Sequence, residues 1–122
     1  MSEREPATGN ALYLVPEPVW EAQASGTLYS PEAFEQDGFI HTTHGDDMVI
    51  QVANMFYTGD PRPYLVLDID LSKVSAETVY EDPEHQFPHI YGPLDVAAVT
   101  RVRRVIRGAD GQFLGIGGPI SL

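Results

Sequence analysis

The sequence predicts an α+β fold in which most strands pair antiparallel. Three observations lead there. Val49, Val52, Ala53 and Phe56 repeat at helical spacing in the middle of the chain. Strand-like runs then follow one another from Pro63 to Ile116 with no further helical pattern between them. Finally, Asp110-Gly111 offers a tight turn between the last two runs. A parallel doubly wound sheet needs a helix after almost every strand, and strands gathered behind two helices do not supply that alternation.

The elements can be justified in order. Residues 1–10 are polar and read as a flexible leader, and residues 11–122 as a single domain. Ala11 to Val15 is an apolar run bounded by Pro16 and fits a strand. Pro16 and Pro18 suit the first turn of a helix through Ser25, where a missing N–H costs nothing, with Trp20 as its anchor and Gly26 as its stop. Ser30-Pro31-Glu32 opens a short helical turn ending near Gln36. Gly38 to Thr43 reads as a buried strand. The spacing predicts a helix over 46–57, with Asp46 and Asp47 at its positive end and Gly59 just beyond it. Pro63 to Asp70 is an inner strand and Thr78 to Glu81 a short one. Ala98 to Arg107 is a long strand of β-branched residues, and Gln112 to Ile116 returns as its hairpin partner.

Composition narrows the chemistry. The chain has 122 residues, enough for one core, and no cysteine, which excludes disulfides, thiolate catalysis and Cys-ligated zinc. Its formal net charge of −11 argues against nucleic acid and anionic membrane as partners, because phosphate binding relies on Lys and Arg. The polar N-terminus has no apolar signal-peptide core and no run reaches the length of a membrane span, so the expected location is cytoplasmic. The expected assembly is a monomer or weak homodimer. Arg101, Arg103, Arg104 and Arg107 crowd one strand. They read either as a solvated strand paired with the acidic remainder or as a local site for a phosphate-bearing small molecule.

Two segments concentrate the chemistry, Gly38-Phe39-Ile40-His41-Thr42-Thr43-His44 and Phe87-Pro88-His89-Ile90-Tyr91-Gly92-Pro93. Each places a histidine, the side chain best suited to exchange protons near neutral pH, among apolar residues next to Gly or Pro, and Pro88 and Pro93 stiffen the second segment. On a strand, Phe39, His41 and Thr43 share one face, so Thr43 can fix the His41 ring. His89 and Tyr91 likewise project to one side if that segment is extended. His41, His89 and Glu81 are the candidate catalytic residues. Thr43, His44, Tyr91 and Phe87 are the candidate ligand contacts, with phosphate held by Thr43 and the start of the Asp46 helix. The histidines lack the spacing of a zinc site, and no metal is expected. Neither a Gly-Xaa-Ser-Xaa-Gly elbow nor a dinucleotide fingerprint is present.

Leu12-Tyr13-Leu14, Trp20, Gly38-Phe39-Ile40-His41, Val52-Ala53-Asn54, Leu65-Val66-Leu67-Asp68-Ile69-Asp70, Glu81 and Phe87-Pro88-His89-Ile90-Tyr91-Gly92 together resemble the DUF952 family of small bacterial proteins of unknown function, over roughly residues 11–114. The resemblance implies a split β-sandwich similar to the core of ADP-ribosyltransferases, with helices on its flanks. It therefore points to NAD or a related nucleotide as the cofactor to test. In the His-Tyr-Glu type of those enzymes the first strand carries a His-Gly pair. Here it reads Leu12-Tyr13-Leu14-Val15-Pro16. Two functional readings follow. One is a cleft, its walls formed by the two histidine segments, that binds a nucleotide- or ADP-ribose-like small molecule and acts as an enzyme. The alternative is a non-catalytic binding or interaction module that keeps a degenerate cleft.

Overall fold

The computed structural model describes residues 5–32 and 34–120. The strands are β1 (Glu5–Pro6), β2 (Asn10–Pro16), β3 (Leu28–Tyr29), β4 (Ile40–His41), β5 (Tyr64–Asp70), β6 (Glu77–Tyr80), β7 (Pro88–Tyr91), β8 (Leu94–Asp95), β9 (Val99–Arg107) and β10 (Phe113–Pro119). The helices are α1 (Glu17–Gln23), the single turn α2 (Phe34–Asp37) and α3 (Asp46–Phe56). The first sheet has the order β1-β6-β7-β4, the second β10-β9-β5-β2, and β3 pairs with β8. Among the described residues every strand pairing is antiparallel, in keeping with the α+β reading.

The sheets pack because their sequences put apolar residues on the facing sides. Ile40 and Ile90 of the first sheet meet Ala11, Val15, Leu65, Leu67 and Ile69 of the second, with Trp20 and Tyr29 in the same core. The opposite side of the second sheet, with Leu12, Leu14, Val66, Val105 and Phe113, is covered by Val49 and Ala53 of α3. β5 lies between two cores, which explains its nearly unbroken apolar run. Each such side chain stabilises the fold by roughly 1.5–3 kcal/mol relative to exposure.

Several expectations change in detail. Residues 5–10, read as part of a flexible leader, are drawn into the sheets. Glu5 and Pro6 pair with Tyr80 and Val79, and Asn10 begins β2; residues 1–4 lie outside the described part. Phe56, expected on the buried face of its helix, is 71% exposed, because the second core ends at Ala53. The strand expected over Gly38 to Thr43 contracts to Ile40–His41. Gly38 enters it at φ +79°, and Thr43 leaves to bridge Leu12 of β2, tying the two sheets together. α1 stops at Gln23, whose side-chain amide clamps the backbone of Ser30 from both sides. The helical turn expected to open at Ser30 starts later, as α2 over Phe34–Asp37. On β9 the alternation breaks where Asp68 pairs with Arg101 but Ile69 with Val99. The extra residue at this bulge lets Val99 and Val102 reach the same core.

Candidate functional site: an imidazole face beside a cleft

β4 and β7 are neighbours in the first sheet, with His41 directly opposite His89. Ile40 and Ile90 point into the core, so strand parity sends both imidazoles to the outer face. The two rings meet edge-on, 5.4 Å between centroids. Phe39 packs against both, 4.5 Å from His41 and 4.3 Å from His89, and lies 5.1 Å from Tyr91. Gly92 closes the segment where any side chain would strike Ala76, its Cβ falling 2.7 Å from the alanine methyl.

Glu81, one residue past β6, organises this face. Its Oε1 accepts a hydrogen bond from His89 Nδ1 at 2.9 Å and another from the Tyr91 hydroxyl. A carboxylate can only accept here, so His89 carries a hydrogen on Nδ1, which in the neutral ring leaves the lone pair on Nε2. That is the tautomer a proton acceptor needs, and the arrangement orients the ring as well. His41 has a carboxylate of its own: Nε2 lies 3.3 Å from Asp37 Oδ2, at the end of α2.

The remaining predicted contacts divide. Thr43 is buried, and its N–H and C=O both pair with Leu12; Asp37, not Thr43, stands against the His41 ring nitrogen. His44 lies away from this face, with both ring nitrogens engaged inside the protein. Nδ1 is 2.8 Å from the Asn10 carbonyl and Nε2 is 2.8 Å from the Tyr80 hydroxyl. It links the second sheet to the first instead of meeting a ligand. Phe87 sits just before β7, its amide donating to Asp82 Oδ1 at 3.1 Å, outside the rings gathered on Phe39. Burial pushes the Asp82 carboxyl up, but backbone N–H groups, those of Gln86 and Phe87 first, outweigh it and hold the group low.

A cavity of about 230 Å³ opens between β2 and β4, the edge strands of the two sheets. Phe39, His41 and Thr43 form one side of it. Against expectation, His89 is not the opposite wall: it is the cross-strand neighbour of His41, and only His41 of the pair reaches the cavity. The other lining groups are ones that sequence reasoning missed, among them Tyr13, Tyr57, Tyr64, Asp60, Arg62 and Glu32. They come from separate segments, so no local motif announces them. Arg62 makes a forked contact with both oxygens of Asp60 and a second with Glu32. Its guanidinium, aided by the Tyr64 hydroxyl, holds the Asp60 carboxyl well below the usual carboxylate range despite some burial.

The arginine-rich strand resolves toward pairing. Arg101 and Arg103 bind Asp68, Arg103 also forks onto Asp46, and Arg104 binds Glu17. Asp46, at the start of α3, is therefore committed to Arg103, and the helix start lines a different hollow from the His41 cavity. The phosphate floor expected there is not part of the site. Among the described residues no three His, Asp or Glu side chains converge as metal ligands, and no helix is long and apolar enough to cross a membrane.

Solved structures share the fold. The crystal structure of protein CC0527 from Caulobacter crescentus superposes with a TM-score of 0.73 at 23% identity, covering 87% of this chain and 94% of that one. The crystal structure of a double mutant of that protein gives the same values. Its solution structure gives a TM-score of 0.60 at 24% identity, covering 84% and 89%. No curated protein matches the chain. The model of the family described as protein of unknown function (DUF952) matches residues 14–102, which include β4, β7, Glu81 and most of the cavity wall, and the chain belongs to that family.

Proposed function

We propose that the protein binds a small ring-bearing molecule, of nucleoside or ADP-ribose type, on the outer face of the first sheet, and that His89 and His41 exchange protons with it. The observation that carries this reading is the shared Glu81 oxygen, which fixes His89 and Tyr91 together beside Phe39. A half-buried group of packed rings with an oriented imidazole suits a flat heterocycle: the rings supply contact area and the neutral His89 ring supplies a hydrogen-bond or proton acceptor at Nε2. The implied likeness to ADP-ribosyltransferases agrees with a nucleoside-bearing ligand. The paired state of Arg62, Arg101, Arg103 and Arg104 favours ligands held by ring and ribose over ligands held by pyrophosphate.

The test is a thermal-shift and NMR titration with adenosine, ADP-ribose and NAD. Saturable shifts of the His89 and Tyr91 ring signals in the wild type, absent from a His41→Ala, His89→Ala double variant, are expected. If none of the three compounds moves those signals, the reading is wrong.

A further inference from the structure

The cavity on the other side of His41 has a chemistry of its own. One wall is built from tyrosines. Tyr57 and Tyr64 lie 5.5 Å apart, and Tyr13 of β2 joins them in the lining. Phe39 and His41 face the cavity from β4 and the residue before it. Burial pushes the phenols of Tyr13, Tyr57 and Tyr64 up, so they remain neutral and keep electron-rich ring faces. For Tyr57 the Asp37 carboxylate adds to the effect, and Asp37 lines the same cavity as the aromatic wall.

The charges in the cavity are unbalanced. Glu32, Asp37 and Asp60 line it against a single guanidinium, Arg62. Arg62 is already forked onto Asp60 and onto Glu32, so it has little capacity left for an incoming anion. Asp37 is met by the His41 ring alone among the groups described here. A phosphate or carboxylate would enter against like charge, whereas a cation would meet carboxylates and ring faces together. The volume of about 230 Å³ holds roughly eight water-sized groups, enough for a small organic ion and too little for a dinucleotide.

We infer that this cavity is a binding site for a small organic cation of quaternary-ammonium size, seated against Tyr57 and Tyr64 with Asp37 as its counter-charge. The site is distinct from the Glu81, His89 and Tyr91 set, and shares Phe39, His41 and the Asp37 carboxylate that meets His41 with the imidazole face. It stands or falls independently of nucleoside binding at His89.

The experiment titrates the full-length protein with choline and, in parallel, with 3,3-dimethylbutan-1-ol, which has the same shape without the charge. Ring signals of Tyr57, Tyr64, His89 and Tyr91 are followed by NMR. Choline is expected to shift Tyr57 and Tyr64 saturably, with the alcohol at least about tenfold weaker. Tyr57→Leu and Asp37→Asn, both at partly exposed positions, are each expected to weaken choline about tenfold or more without loss of the folded spectrum. Equal binding of the alcohol, tighter binding of inorganic phosphate, or choline shifts confined to His89 and Tyr91 would each overturn the inference. So would the absence of any saturable shift. A null result with adenosine at His89 leaves it standing.

Discussion

In the second sheet Arg103 is 7% exposed and lies between Asp68, itself 4% exposed, and Asp46. In the first sheet the His41 side chain is 59% exposed and lies against an Asp37 carboxylate that is 39% exposed. Both are ion-pair geometries on β-strands, yet they do different work. The first satisfies charges that the fold has removed from water, where an unpaired partner is expensive. The second leaves a titratable ring where solvent and ligands can reach it, at little cost to the fold. The long strands of the second sheet thus hold the molecule together, and the short strands of the first present the groups proposed to meet a ligand.

The comparison can be broken most directly at Arg103. Arg103→Met takes the guanidinium from Asp68 Oδ1 and from Asp46, leaving Asp68 only Arg101 on Oδ2, and is expected to cost about 3 kcal/mol in urea denaturation. A loss below about 1 kcal/mol would mean that the buried pair is not what stabilises that sheet.

Asp60→Asn probes the boundary between the two regions. It removes charge-assisted bonds to Arg62 and the bond from Tyr64, and about 1.5–3 kcal/mol is expected to be lost at pH 7. Because the folded-state pKa of Asp60 is depressed, its contribution is complete above the unfolded value of about 3.9 and disappears as pH falls through the folded value. Stability measured from pH 7 to pH 2 is therefore expected to show the variant and the wild type converging at the acid end. A constant gap would disprove the linkage.

The smallest effects sharpen the contrast within the first sheet. His44→Ala loses two hydrogen bonds that join the sheets and is expected to cost about 1–2 kcal/mol. His41→Ala is expected to change stability by no more than about 0.5 kcal/mol, since its ring is mostly in water. Equal losses at the two positions, read by thermal melting, would remove the distinction between a structural and a presented histidine.

Much of this was legible in the sequence where the signal is local. Helical spacing located α3, the apolar run located β5, and the Asp-Gly turn located the β9–β10 hairpin. The two histidine segments were also legible, and the structure brings His41, His89, Tyr91 and Glu81 onto one face. What was not legible depends on contacts distant in sequence. The two-residue strands β3 and β8 have no periodicity to read, and their pairing joins Leu28 to Asp95. The bulge at Thr100 shifts a strand's phase through its partner, not through its own residues. The cavity draws Glu32, Asp60 and Tyr13 together from three places that share no motif. His44 misled for a related reason, since an imidazole beside a candidate site looks the same in sequence whether its nitrogens face a ligand or a carbonyl.

That double engagement of His44 has an evolutionary consequence. A residue whose Nδ1 is fixed by a backbone carbonyl and whose Nε2 depends on one phenol is tied to that phenol. Homologues that replace Tyr80 are then released to replace His44, and the two positions are expected to change together across the family. His89 is tied in the same way to Glu81 and Tyr91. Two sets of co-varying positions, sharing no member, would separate the histidine that joins the sheets from the one proposed to meet a ligand.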